Sequence, residues 1–555
     1  MKQQIRRLVT DSVQRAIQAE ILAKQRLPEI EIEVPKNEIH GDFSTNIAMI
    51  MASTQKKAPR KIAEQIIDTL EDHDNLITKT EIAGPGFINF FINIASWQNV
   101  LCDIHAAGDD YGRNDMGRGE KFQIEFVSSN PTGPLHVGHG RGAAVGDSVG
   151  NILRFCGYAV QKEYYINDAG RQIETLGRSV FLRYQELLGK PIDFPEDCYQ
   201  GAYITEIATI IREKHAQDLD NMPEDTAIAY CARAAAGLII KGIRQDLEAF
   251  GVSFDRWFSE QSLYDSGSVD KIIAELQEGN IAYEKDGATW FRTSEYQDEK
   301  DRVIVRNNGQ KTYFASDVAY HLDKYRRGFD KVIDVWGADH HGYIPRMTAS
   351  IEALGYRRDQ FEVILVQLVN LLRGGETVAM STRAGEFITL KNVVNEVGTD
   401  AARFLFLTRH YESPLDFDLE LAKKKTNENP VYYVQYVHAR ISSIIRKGKE
   451  RGVINQNGDH HIAPTTLVEP EEIHLIKLLD QFPEVVRKSA NFREPHRITY
   501  FLMSLASAFH SYYNKHRVLA DDPALVQARL SLVVAVRRII RIGLTLLGVS
   551  APEKM

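Results

Sequence analysis

The chain has 555 residues, too many for one hydrophobic core, and at about 100 to 200 residues per domain it should divide into three or four. With 43% hydrophobic and 26% charged residues, and no apolar run approaching the roughly 18 residues of a membrane span, a membrane-spanning chain is excluded. The net charge of -8 argues against a uniformly basic nucleic-acid binder. Charge is segregated, however: residues 430–555 hold 17 Lys/Arg against 11 Asp/Glu, so the part before them carries -14.

The N-terminus opens directly into the amphipathic pattern MKQQIRRLVTDSVQRAIQAEIL, with no apolar stretch and small-residue cleavage site, which leads us to expect a cytoplasmic protein. Residues 1–110 continue with a second helical stretch, KIAEQIIDTLE, and an extended apolar run, GFINFFINIA, and predict a small α+β module. The Gly-, Asp- and Arg-rich DDYGRNDMGRGEK reads as a linker, and a second domain is expected over 120–415. It begins with a buried strand in FQIEFVSS, a turn at NPTGPL and a helix in HVGHGRGAAVGDSVGNILRFCG. KVIDVWGAD and FEVILVQLV are further strands alternating with helical segments, as a parallel Rossmann-type sheet requires. The stretch from about 171 to 300 reads as a mostly helical insertion. Residues 416–555 form helix upon helix, an all-α bundle. The fold class is therefore multi-domain α/β. Its four cysteines, Cys102, Cys156, Cys198 and Cys231, are scattered, so neither a structural zinc site nor a disulfide framework is expected.

Chemistry concentrates after the first strand. His136 and His139 stand three apart at a helix start with Gly138 between them, behind the turn that contains Asn130, Pro131 and Gly133. A helix N-terminus attracts anions, a glycine lets a nucleotide approach the backbone, and two imidazoles can donate to phosphate oxygens as charge develops. The pattern points to attack on the α-phosphate of ATP.

HVGH in this setting resembles the signature of class I aminoacyl-tRNA synthetases and related nucleotidylyltransferases, and FVSSNPTGPLHVGHGRGAAVGDS resembles the arginine-specific branch. The resemblance extends from about residue 30 to the terminal LLGVSAPEKM. It implies an ATP- and Mg²⁺-dependent enzyme that activates L-arginine and transfers it to the 3′ end of its tRNA. His136 and His139 are then catalytic, with Pro131, Gly133 and Gly138 at the ATP. The family's mobile lysine-bearing loop corresponds to Ala379-Met380-Ser381-Thr382-Arg383. Met380 and Ser381 match while both lysine positions are lost, leaving Arg383, or Arg373 in LLRGGE, to supply a cation.

A guanidinium substrate calls for carboxylates and an aromatic or polar wall. The string YFASDVAYH resembles the arginine-contacting pattern, which implies roles for Tyr313 and Asp317, four apart on one helix face. Glu125 and Asn130 match the residues that hold the amino acid. WGADHHGY resembles the adenosine-contacting segment, with Gly337, Asp339 and His340 assigned to ATP and His341 to arginine, although either histidine can take either role. The resemblance of NENPVYYVQYVHAR to an anticodon-binding bundle implies tRNA contacts by Tyr432, Tyr436, Arg440, Arg446 and Lys447, and the N-terminal module would grip the tRNA elbow. A monomer is expected. A small-molecule nucleotidylyltransferase would leave the flanking domains without a task, and a non-catalytic tRNA-binding paralogue would not need both histidines with Tyr313 and Asp317.

Overall fold

A computed structural model of the chain describes residues 1–215, 219–378, 388–452 and 464–555. They form two compact units, each assembled from separate stretches of chain.

The first unit combines residues 1–111 with 440–482 and 507–539. Its small antiparallel sheet sets Phe87–Ile92 between Phe43–Thr45 and Ile77–Ala83. Long-range polar contacts stitch it to the later helices. The Met1 ammonium bonds Asp480 at 3.0 Å, Gln98 donates to Leu467 O at 2.9 Å, and the His105 ring meets Ser531 at 2.9 Å. Contacts of this kind join residues more than 300 positions apart, so local sequence pattern does not announce them.

The second unit holds residues 112–439, 483–506 and 540–555. At its centre is a five-stranded, all-parallel sheet: β1 (Lys121–Glu125), β2 (Ala159–Ile166), β3 (Arg256–Ser259), β4 (Lys331–Gly337) and β5 (Phe361–Val366). The spatial order is β3-β2-β1-β4-β5. The chain thus winds outward from β1 in one direction, then returns to wind outward from β4 in the other. The carboxyl ends of β1 and β4 flank the reversal, the place where such sheets open a ligand crevice.

Three details depart from the sequence-based expectation. β1 ends at Glu125, not at the second serine of FQIEFVSS, because Val127 and Ser128 take left-handed backbone (φ 69° and 40°) and break the ladder. The stretch 171–300 carries the helices Arg171–Leu187, Ala202–His215 and Glu224–Ala249, yet it also contributes β3, a four-residue RWFS too short to stand out. A small antiparallel sheet of Ala282–Lys285, Ala288–Phe291 and Arg302–Val305 follows. Glu224–Ala249 is also the one described helix long and apolar enough, by length and composition, to cross a membrane. Its Cys231, Ala232, Ala235 and Ile239 are buried within the protein.

Helix α1 (Val137–Phe155) lies against the sheet at unusually short range, which explains its glycines. A Cβ on Gly146 would fall 2.3 Å from the Phe126 ring, and one on Gly150 would fall 2.6 Å from Lys162.

Candidate active site

The kink after β1 is the first functional feature. A β-branched residue at φ 69° is strained, and strain of this kind persists only where surrounding bonds impose it. Here they do: Ser128 Oγ accepts from the Tyr165 backbone, and the Tyr164 hydroxyl both accepts from Ser129 N (3.1 Å) and donates to Ser129 O (2.9 Å). The kink separates Glu125, at the strand end, from Asn130, whose amide donates to Gln172 at 2.7 Å and whose carbonyl oxygen is left to accept. Pro131 is buried, and Gly133 gives way to the Tyr203 hydroxyl, 3.2 Å from where its Cβ would stand.

His136 caps α1. Its Nδ1 accepts from Gly138 N (3.1 Å), while Nδ1 of His139 accepts from His136 N (3.2 Å), a reciprocal capping box built from two imidazoles whose rings stack 3.6 Å apart. The missing Cβ of Gly138 makes room for that fold, because it would lie 2.9 Å from the His136 ring. Since each Nδ1 faces a backbone donor, each ring carries its proton on Nε2. Burial lowers both histidines, His139 to about 3, with His136 beside it adding to the effect. Both are neutral Nε2–H donors at physiological pH. The backbone anion site expected from the sequence is already spoken for. Val137 N is bonded to Ile388 O, Gly138 N to the His136 ring and His139 N to His136 O, so the imidazoles, not the amides, are the available donors.

Acids from both sides of the reversal gather in one neighbourhood. Helix α2 (Tyr313–Arg326) begins at Tyr313, which is exposed, and presents half-buried Asp317 one turn later. Burial pushes the Asp317 carboxyl up, while a hydrogen bond from the Tyr343 hydroxyl opposes the rise. Glu125 lies within electrostatic reach of it. Glu260, just past β3, is 2% exposed, and one of its oxygens has no hydrogen-bond partner among the described residues. Burial drives its carboxyl up to about 7, Ser316 opposing by hydrogen bonding and Asp317 adding by charge. Tyr165 feels Glu260, Asp317 and Glu125 together, so these three carboxylates share one neighbourhood. After β4 the short segment Ala338–Tyr343 exposes Gly337, Asp339, His340 and His341. Asp339 folds back against Gly337, His340 sits 3.5 Å from Asp339, and His341 is bonded to Ala338 O at 3.1 Å.

Neutral donors at the start of α1 and a carboxylate cluster drawn from β1, the residue after β3 and α2 suit a nucleotide phosphate and a cationic amino acid. Comparisons with known proteins agree along the whole chain. Residues 3–92 match the arginyl tRNA synthetase N terminal domain, 103–413 the catalytic domain of class I (R) tRNA synthetases, and 434–555 the DALR anticodon binding domain. A protein of Desulfosudis oleivorans named arginine–tRNA ligase is 58% identical over 100% of both chains, and one of the same name from Syntrophotalea carbinolica is 55% identical over the same share. The chain belongs to the arginyl-tRNA synthetase family. Among solved structures, the Thermus thermophilus arginyl-tRNA synthetase aligns over 100% of both chains with a TM-score of 0.76; at 21% identity it speaks for the fold.

As an arginyl-tRNA synthetase the chain is a class I, ATP-using aminoacyl-tRNA ligase, and its fold is the multi-domain α/β arrangement expected. Of the synthetase's loop residues, Met380, Ser381 and Arg383 lie outside the described residues. Arg373 is described, and it is engaged elsewhere: its guanidinium grips Glu396 through two bonds (2.7 and 3.0 Å) and approaches Glu420 at 3.3 Å. On helix Pro430–Glu450, Tyr432 and Tyr436 are half-buried and stack at 6.0 Å, Arg440 lies over the Tyr513 ring, and Arg446 and Lys447 are exposed. Among the described residues no group of three or more His, Cys, Asp or Glu is arranged to hold a metal ion, and the cysteines are free thiols.

The sequence reading passed over Glu260. In RWFSEQS it is one acid among many, and its signal appears only once RWFS is recognised as the third strand of the sheet, since that places the next residue at a carboxyl end.

Proposed function

We propose that the crevice at the β1/β4 reversal carries out ATP-dependent activation of L-arginine, whose carboxylate attacks the α-phosphorus of ATP to give arginyl-adenylate and pyrophosphate. The terminal ribose hydroxyl of the tRNA for arginine then attacks the adenylate's carbonyl carbon and releases AMP. The observation that carries this reading is the pairing of two neutral Nε2–H imidazoles with a three-carboxylate cluster. His136 and His139 donate to the α-phosphate oxygens as charge builds there, a term worth about 3 kcal/mol for one well-placed donor. Being neutral, they do not hold the product phosphate as a fixed cation would.

Asp317 and Glu260 bind the guanidinium, with Tyr313 as a wall. Glu125, the Asn130 carbonyl oxygen and His341 take the α-ammonium end. Pro131, Gly133, Gly138, Gly337, Asp339 and His340 bound the ATP. Mg²⁺ brought in with the ATP would supply charge neutralisation at its phosphates, and Arg383 with Met380 and Ser381 attends the leaving pyrophosphate. Tyr432, Tyr436, Arg440, Arg446 and Lys447 face the anticodon arm. Residues 1–110 serve as the elbow-binding module, 120–415 as the catalytic domain with its inserted segment, and 416–555 as the anticodon-binding domain of a cytoplasmic monomer.

The test is aminoacylation by the purified protein with unfractionated tRNA, ATP and each labelled amino acid in turn, alongside pyrophosphate exchange with and without tRNA. Charging with arginine alone is expected. Binding of tRNA without charging of any amino acid overturns the catalytic reading.

A further inference from the structure

Beneath the substrate-facing groups the sheet carries an acidic row. Asp334 of β4, Glu125 of β1 and Glu163 of β2 are register partners on adjacent parallel strands, so they point to one face about 4.8 Å apart. Like charges in that arrangement repel. Helix α2 lays cations over them. Lys324 Nζ, fully buried, sits 2.6 Å from Glu125 Oε2 and 2.8 Å from Asp334 Oδ1. His321 Nε2 is 2.9 Å from Asp334 Oδ2, and Arg327 grips both oxygens of Glu163 at 2.6 and 2.9 Å. Both oxygens of Asp334 and both of Glu163 are thereby occupied. Glu125 differs: Oε2 is taken by Lys324, and Oε1 makes no hydrogen bond among the described residues.

We infer that Lys324 is a positioning residue for the amino-acid substrate, separating the Glu125 and Asp334 carboxylates and turning Glu125 so that a single oxygen is presented to the substrate's cationic end. Lys324 does not reach substrate itself, and the row leaves it no alternative partner. An ammonium suits this post because it bridges two carboxylates from one point, which a planar guanidinium does not. The inference rests on the reading of Glu125 as a substrate ligand.

Pyrophosphate exchange in the presence of tRNA, on the full chain, tests both. Lys324→Met is expected to raise the arginine KM by about tenfold or more while the ATP KM stays within about twofold, because the loss is one charge-assisted contact at the amino acid. Glu125→Gln should act the same way, and the double variant should be no worse than Glu125→Gln alone, since one residue acts through the other. Where Lys324→Met alone fails to fold, Lys324→Met with Asp334→Asn removes the like-charge pair and keeps the fold, with the same rise in arginine KM. Losses that multiply in the Lys324/Glu125 double variant, or equal shifts in the arginine and ATP KM values, overturn the positioning role. A Glu125→Gln enzyme with an unchanged arginine KM overturns the reading of Glu125 itself.

Discussion

Glu260 makes a prediction with two opposite consequences. Its carboxyl stands at about 7 in the free enzyme because burial penalises the anion, against an ordinary value of 4.5. A guanidinium binds the ionised form, so arginine must displace a proton at and below neutral pH. For a group at about 7 the arginine KM should rise about tenfold between pH 8 and pH 6. Glu260→Gln cannot ionise. It should raise the arginine KM at pH 8 by roughly ten- to hundredfold, the value of one buried charge-assisted hydrogen bond. It should also remove most of the pH slope. Stability should move the other way. The folded state holds this proton more tightly than the unfolded chain does, so ionisation costs folded stability as pH rises from about 4.5 to about 7. By linkage that cost is about 3 kcal/mol above pH 7 and nothing below pH 4.5. The variant should therefore melt higher than the parent at pH 8, with the gain fading toward pH 5. Exchange kinetics across pH and paired thermal melts provide the assay. A variant that melts lower at pH 8, or one that retains an undiminished pH slope in arginine KM, refutes the reasoning.

Asp317→Ala should raise the arginine KM by about a hundredfold and leave that of ATP within about twofold, since it strips a half-buried carboxylate from a cation. Equal effects on both substrates in steady-state exchange would remove Asp317 from the arginine pocket. His139→Ala should cut adenylate formation by about 10²- to 10³-fold, the range for losing one transition-state donor, while filter-binding affinity for tRNA is unchanged. Because burial, with His136 beside it, lowers His139 to about 3, this ring should contribute no step to the rate profile between pH 6 and 8, and an inflection lost in His139→Ala would contradict this. Gly146→Ala drives a methyl into Phe126 and should destabilise the catalytic unit by about 1 to 3 kcal/mol, read as an earlier thermal transition.

What the sequence disclosed follows the range of the forces involved. The strand, turn and helix around His136 and His139 were legible because each is specified within a few residues, by β-branched content, Pro and Gly in the turn, and small residues at helical spacing. Tyr313 and Asp317 were legible for the same reason, being one turn apart at a helix start. The end of β1 was misplaced by four residues because Val127 and Ser128 look like strand formers and are bent by bonds from Tyr164 and Tyr165, some 35 positions later. Glu260, and the register row that ties Glu125 to Lys324, depend on which strands become neighbours. No local pattern carries that information. The lysine-poor loop was legible only as a departure, and the engagement of Arg373 with Glu396 could not be read from sequence.

The C-terminal residues of the second unit are sewn into it through buried contacts. Arg403, fully buried, donates to Leu547 O at 3.1 Å and also pairs with Asp147 of α1, Ser550 N donates to Asp400 at 2.9 Å, and the His438 ring meets Pro552 O at 2.8 Å. Gly548, at φ 66°, has no room for a Cβ, which would fall 2.2 Å from the Arg403 guanidinium. During synthesis all five strands of the sheet leave the ribosome before these residues exist. A nascent chain without them holds Arg403 through Asp147 and the Phe250 and Gly251 carbonyls, and the bonds to Leu547 O form only when that segment arrives. A ribosome that stalls short of residue 547 leaves an incomplete unit for proteases to find.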